Sequence, residues 1–318
     1  MAYSLQQVGS FEEIRLAIWN RLVDEGWSLS DDIISKDGVF AQLTFDANYL
    51  SLHCGTGASS GAITDGPTML TGYPGTRYQT RVGRVMRNAS WSPFAFPARL
   101  LLFTFPSEVY AVINTNVDEY QYLAFGKSGV PGLPGSGVWF AGTFGHANVG
   151  SGNGGNSFNM NVQVGGAYYQ NNKSACGLFW NNDATNAFPY NGYNSWFHHG
   201  FTDSSITSAA SPEWAYALGQ AHLAPLYALM PNNWNSESAL LPIRAYAQRP
   251  SSTISLAGEL ANARLIRIDN LVPEQVITLG TDEWLVLPWF KKDTTNRDGS
   301  TLTANATGTL GWAIRREA

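Results

Sequence analysis

The chain has 318 residues, of which 44% are hydrophobic, 13% aromatic and only 14% charged, with a formal net charge of −5. That length buries a substantial core, as one large β domain or two smaller ones. The acidic balance and the absence of a dense Lys/Arg run argue against a general nucleic-acid surface, so no nucleic-acid partner is expected.

So little charge predicts a surface of Asn, Ser, Thr and Gly, or one covered by other subunits. Two cysteines, Cys54 and Cys176, are too few for a disulfide framework and leave either one bridge or two free thiols. No basic stretch followed by an apolar core opens the chain, so no secretory signal is expected and the protein reads as soluble and made inside a cell. The longest apolar run, Phe94 to Phe105, is broken by Pro97 and Arg99 and is too short for a bilayer. No membrane partner is expected.

Phe11 to Trp27 reads as one long helix. Ser10 with Glu12 and Glu13 suits its N-terminus, Ile14, Ala17, Ile18 and Leu22 form one apolar stripe, and Gly26 is its stop. Strand candidates follow at Asp32–Ser35, Val39–Phe45 and Tyr49–Cys54, so residues 1–56 predict a small unit of helix plus antiparallel sheet. Residues 57–90 turn glycine-rich and lose periodicity. They read as an extended arm or long loop suited to assembly, with Gly57, Asp65, Tyr73, Arg77 and Arg81 as its candidate contact residues. Arg77, Arg81, Arg84 and Arg87 predict a solvated or subunit-contacting edge rather than a phosphate site.

Residues 91–145 open the main β body. ARLLLFTF, SEVYAVINTN and DEYQYLAFG form a meander, with Val109, Ala111 and Ile113 on one strand face. Tyr120, Tyr122 and Ala124 share one face of the next strand, and Leu123 and Phe125 the other; VWFAGTF is a further strand. Residues 146–237 are an insertion rich in Asn, Gly and aromatics, read as short strands, long ordered loops and a short helix starting near Ser211. Its Tyr168, Trp180, Tyr190, Tyr193 and Trp196 are a candidate aromatic surface for stacking on a host surface glycan or a partner protein. The reading of these rings as a local core of the insertion is somewhat preferred. Residues 238–318 close the body: a strand at Ser238–Ala247, a loop with a short strand over Arg249–Leu260, then strands from Ala263 to Lys292 and in TLGWAIRR. Trp284, Leu287, Trp289 and Trp312 are the candidate core of this region.

Catalytic chemistry finds little footing. None of the five histidines sits in a zinc-binding spacing. Adjacent His198 and His199 near Asp203 read as structural. GTGASSG lacks the Lys-Ser/Thr of a phosphate loop, and no GxSxG elbow occurs. Asp118–Glu119 and Asp282–Glu283 are neighbours whose side chains would point to opposite strand faces, so neither is a ready acid/base couple.

Several stretches resemble the virion structural proteins of tailed double-stranded DNA phages, of the tail or baseplate region. They are the opening helix with GWSLSDDIISKDGVFAQLTF and YLSLHCGTG, then WSPFAFPARLLLFTFPSEVYAVINTNVDEYQYLAFG, and NARLIRIDNLVPEQVITLGTDEWLVLPWFKK with LGWAIRR, a little over a third of the chain. The match includes a strand ending in Phe125-Gly126 and the closing pattern from Pro273 to Trp289. The insertion departs from it. The resemblance implies a structural subunit of a symmetric tail or baseplate ring, assembled in the host cytoplasm and located in the virion. Its partners would be copies of itself and other virion structural proteins. It implies no enzymatic turnover and no cofactor, and carries over no catalytic residue. The expected fold is mainly β with a few short helices, a β-rich α+β chain whose body is sandwich-like or barrel-like with long loops. A glycan-binding receptor-recognition module of a phage tail is the alternative function, and a polysaccharide hydrolase a distant third.

Overall fold

The computed structural model describes residues 2–64, 66, 78–87, 90–130, 137–147, 176–180, 196–200, 217–218, 238–249, 253–288, 291–292 and 310–316. The chain opens with strand β1 (Ala2–Val8) and helix α1 (Phe11–Asp24). Ser10 caps the helix by accepting from Glu13 N at 3.1 Å, while the Glu13 carboxylate reaches back to Gly9 N at 2.7 Å. These two bonds satisfy donors that a helix start leaves open. At the other end Gly26, at φ +81, lets Gly26 N bond Val23 O and Trp27 N bond Leu22 O, both at 3.0 Å. Only a residue tolerant of positive φ closes a helix this way. The expected helix through Trp27 therefore stops at Asp24, and Trp27 turns inward to meet Phe125 edge-on at 5.7 Å.

Next come β2 (Ser28–Ser30), β3 (Ile33–Lys36), β4 (Val39–Phe45) and β5 (Tyr49–Gly55). A small hairpin follows, β6 (Ala58–Ser59) and β7 (Ala62–Ile63), then β8 (Tyr78–Gly83), β9 (Val85–Arg87) and β10 (Ser90–Ser92). The meander is β11 (Ala98–Thr104), β12 (Glu108–Asn116), β13 (Glu119–Lys127) and β14 (Val138–Gly142), followed by β15 (Phe144–Ala147). Short strands β16 (Cys176–Trp180), β17 (Trp196–Gly200) and β18 (Ala217–Leu218) lead to β19 (Leu241–Arg249) and β20 (Thr253–Arg267). The chain closes with β21 (Val276–Leu279), β22 (Asp282–Pro288) and β23 (Leu310–Arg316).

Three large sheets result. A central seven-stranded sheet runs β1-β11-β12-β13-β14-β16-β17, a helix-side six-stranded sheet runs β15-β8-β5-β4-β3-β2, and a closing six-stranded sheet runs β18-β19-β20-β23-β22-β21. All are open, so the barrel-like alternative is set aside: among the described residues, the end strands of each sheet are paired on one side only. Among the described residues α1 is the one helix of a mainly β chain.

The inner strands of the central sheet, β11 to β14, are largely buried on both faces. Leu100, Leu102, Val109, Ala111, Ile113, Leu123, Phe125 and Phe140 pack with α1 and the helix-side sheet. The residues between them, including Leu101, Phe103, Tyr110, Val112, Tyr122 and Trp139, pack with Leu265, Leu287 and Trp312 of the closing sheet. Antiparallel sheets commonly leave one face wet and so alternate in polarity. In β11 to β14 neither face is wet, and these strands read as nearly continuous apolar runs. Gly126 is required at the end of β13 because a Cβ there would lie 2.3 Å from Ser107 O.

Three expectations are corrected. The stretch read as loop over Arg249–Leu260 belongs largely to the long strand β20. Its register against β19 shifts twice, from Pro242↔Arg264 to Ile243↔Leu260 and from Ala245↔Gly258 to Tyr246↔Leu256. Such bulges break the period-two pattern by which a strand is read. Within the arm assigned to residues 57–90, β8 is an interior strand between β5 and β15, with Thr80 and Val82 fully buried. Inside the stretch expected as a helix from Ser211, Ala217–Leu218 pairs with β19 as a strand. The rest of that stretch lies outside the described residues.

Candidate functional site

The strongest polar centre lies between the central and closing sheets. Glu108, on β12, has no exposed surface, and its carboxylate accepts from Ala261 N at 2.8 Å, Asn262 N at 3.0 Å, Asn262 Nδ2 at 2.7 Å and the Tyr110 hydroxyl at 3.0 Å. Ala261 and Asn262 belong to the wider bulge of β20, where residues 261–263 have no partner in β19. A bulge frees backbone N–H groups from the ladder, and buried donors must find an acceptor. Glu108 is that acceptor, 153 residues away from Ala261. Burial pushes the carboxyl above its ordinary range, while its donors pull the other way. The adjacent Tyr110 hydroxyl is pushed well up by burial and by the neighbouring carboxylate.

A raised carboxyl pKa often marks an acid/base catalyst. Here both oxygens are committed and no surface is open to a substrate, so the chemistry on offer is structural. The carboxylate joins two sheets. Beside it Arg264, its pKa lowered by burial, donates to the Ala261 carbonyl at 2.9 Å and the Ala263 carbonyl at 2.8 Å, and lies 5.1 Å over the Trp284 ring. Ser128 ties the same two sheets by accepting from Glu259 N at 3.0 Å.

A second polar cluster sits at the β1 end of this interface. Arg99 on β11 donates twice to Glu274, at 2.9 and 2.7 Å, and the Tyr120 hydroxyl donates to the same carboxylate at 2.9 Å. Arg316 lies 5.0 Å over the Tyr3 ring. On the other side of the central sheet, Gln121 mimics a peptide: its amide donates to Gly83 O at 2.8 Å and its carbonyl accepts from Gly83 N at 2.7 Å.

One open groove, of about 310 Å³, lies at the start of α1. Its walls include Phe11, Phe45, Phe94 and Phe96, and its polar groups include Glu12, Asp46 and Asn48. Phe11, Phe94 and Phe96 pack mutually with centroids 4.9–5.2 Å apart. Phe45 stays exposed on its outer side. Asp46 Oδ1 holds the wall by accepting from Asn48 N at 2.7 Å and Tyr49 N at 2.9 Å. The Arg15 guanidinium lies 4.8 Å over the Phe45 ring, so one face of that ring is already covered.

The residues singled out from sequence are dispersed. Trp284, Leu287 and Trp312 are buried in the closing sheet, Trp312 stacking on Tyr122 at 4.5 Å. Arg81 is held on β8 with its guanidinium 5.4 Å over the Tyr49 ring, where burial lowers its pKa to about 10. Arg84 faces the same ring and donates to the Tyr49 hydroxyl at 2.9 Å. These two arginines are thus packed on the protein's own tyrosine rather than presented on an arm. Gly57 precedes the β6–β7 hairpin. Trp180 and Trp196 are cross-strand partners of β16 and β17. Asp65, Tyr73, Arg77, Tyr168, Tyr190, Tyr193 and Trp289 lie outside the described residues. Cys54 is a free, fully buried thiol whose pKa burial pushes well up.

Sequence reasoning missed Glu108, Gln121 and the phenylalanine groove. Among the described residues no cluster of His, Cys, Asp and Glu could hold a metal ion, and no helix is long and apolar enough to cross a membrane. Neither a family model nor a curated protein matches the chain.

Proposed function

We propose that this chain is a structural subunit of a tailed-phage virion, a symmetric tail or baseplate ring component that acts in assembly without turnover. One observation carries the reading: the buried polar side chains Glu108, Gln121 and Ser128 are spent tying sheet to sheet. Side chains used in this way support a scaffold reading. The likeness of its strand segments to phage virion proteins supports the same conclusion, and the low charge suits a surface covered by neighbours. Its partners are copies of itself and other virion structural proteins. Light scattering on the purified chain, alone and mixed with its virion neighbours, should give a closed multimer of defined copy number. A chain that stays monomeric in both settings refutes the reading.

The phenylalanine groove favours a second reading, recognition of a host surface glycan. Ring faces pack on sugars while carboxylate and amide groups bond their hydroxyls, and the lining of the groove includes Asp46 and Asn48 beside its phenylalanines. A glycan array probed with wild-type and Phe45→Ala protein tests it. Wild-type binding that the variant loses supports it, and a wild-type protein that binds nothing ends it.

A further inference from the structure

The edges of the three sheets are not equally protected. β2, at the edge of the helix-side sheet, is three residues long and is followed by Asp31 and Asp32 at positive φ. Shortness and charge are standard defences against unwanted strand pairing. β1, at the edge of the central sheet, has neither. It runs for seven residues in unbroken register with β11, and its sequence AYSLQQV contains no charge, no proline and no bulge.

The neighbouring ground is also apolar. The turn before β21 adjoins β1, because Glu274 and Arg316 both act on Tyr3. β21, the edge of the closing sheet, is the uncharged VITL. Leu5 on β1 is 48% exposed, Val272 on that turn 63% and Leu279 on β21 61%. Of the charges near this flank, Glu274 is held by Arg99 and Tyr120 and Arg316 lies over the Tyr3 ring, while Asp282 and Glu283 of β22 stand opposite β21.

We infer that β1 is a subunit interface whose occupant is β1 of a second copy of this chain. A neutral strand is its own complement under a two-fold axis, since antiparallel self-pairing sets each residue against its mirror position. Centred on Leu5, such pairing opposes Leu5 to Leu5, Ser4 to Gln6 and Tyr3 to Gln7, with no like charges in contact. It joins two central sheets through backbone hydrogen bonds, the same mode by which sheets recruit extended peptides. The inference rests on the oligomeric reading above and names its interface.

The test is particle mass by light scattering, over a concentration series, for the full-length wild type, Leu5→Lys and Val23→Lys. Val23 is exposed on α1, a different element from β1, and serves as the control. Both substituted side chains are solvent-exposed, so both variants should keep the wild-type circular dichroism spectrum. The wild type should form an even-numbered assembly, Val23→Lys should match it, and Leu5→Lys should lower the mass by about half. A Leu5→Lys protein with the wild-type mass overturns the interface and leaves the oligomeric reading standing. A wild type that is monomeric by itself but multimeric with virion neighbours overturns only the interface; one that is monomeric in both settings overturns both.

Discussion

Replacing Glu108 tests the physical account most directly. Glu108→Ala leaves four donors, Ala261 N, Asn262 N, Asn262 Nδ2 and the Tyr110 hydroxyl, without their acceptor. Each unsatisfied buried donor costs about 1–3 kcal/mol, and removing one side of a buried charged contact costs about 3–5 kcal/mol in all after relaxation. Glu108→Gln keeps one acceptor oxygen but turns an N–H toward a donor, and it removes the cost of burying charge. It should lose about 1–2 kcal/mol at neutral pH. The two proteins should also differ in pH dependence. Below the ordinary glutamate value, about 4.3, Glu108 is neutral in both folded and unfolded chains. As pH rises past it, the unfolded chain releases the proton while the folded chain, its pKa raised by burial, retains it. The stabilising contribution of the protonated group is therefore lost as pH climbs through the folded value. Urea unfolding followed by tryptophan fluorescence between about pH 4 and pH 7 reads this as wild-type stability minus Glu108→Gln stability. The difference should fall with rising pH. A flat or rising difference, or a Glu108→Ala protein within about 1 kcal/mol of wild type, refutes the pin.

Trp312→Ala removes a ring with no exposed surface that packs on Tyr110 and Tyr122, and should cost about 3–5 kcal/mol in the same unfolding assay. Gly126→Ala sets a methyl 2.3 Å from Ser107 O, so the β11–β12 turn or the end of β13 must move; a loss of about 1–3 kcal/mol is expected, and a neutral result would show that turn to be pliant. Arg99→Met should cost less than about 1 kcal/mol, because the guanidinium is 43% exposed, and the loss should shrink further in high salt.

The parts legible in sequence are those where one physical rule acts alone. Ser10, Glu13 and Gly26 mark the helix because capping is local. The meander from Ala98 to Lys127 is legible because burial on both faces makes each strand a continuous apolar run, bounded by the turns at Pro106 and Asp118. β1 was not legible: its Leu5, Gln6 and Gln7 are exposed, so it carries little apolar pattern, and its partner β11 lies about ninety residues on. β8 was obscured because Arg81 and Arg84 look solvated until Tyr49 is placed beside them. Glu108 is one acid within a strand segment and has no signal of its own in the sequence. Its role depends on a bulge in β20 that itself breaks the strand pattern, so neither half of the contact announces the other.

Apolar layers attract one another without fixing their relative position, because the hydrophobic effect is non-directional. Directional contacts must set the alignment, and each interface of the stack has them. Between the central and helix-side sheets, Gln121 pairs with Gly83, Lys127 Nζ donates to Asp37 O at 2.8 Å, and Thr80 Oγ1 donates to Ala141 O at 3.2 Å. Between the central and closing sheets the same work falls to Glu108, Ser128 and the Arg99–Glu274 pair. With both faces of the central sheet consumed, a further copy can add to it only along an edge. Of the edges, β1 combines length, neutrality and an exposed leucine. An assembly built through that edge would inherit the alignment of all three layers, because β1 is hydrogen-bonded to β11 and β11 carries Arg99, the residue that reaches across to the closing sheet.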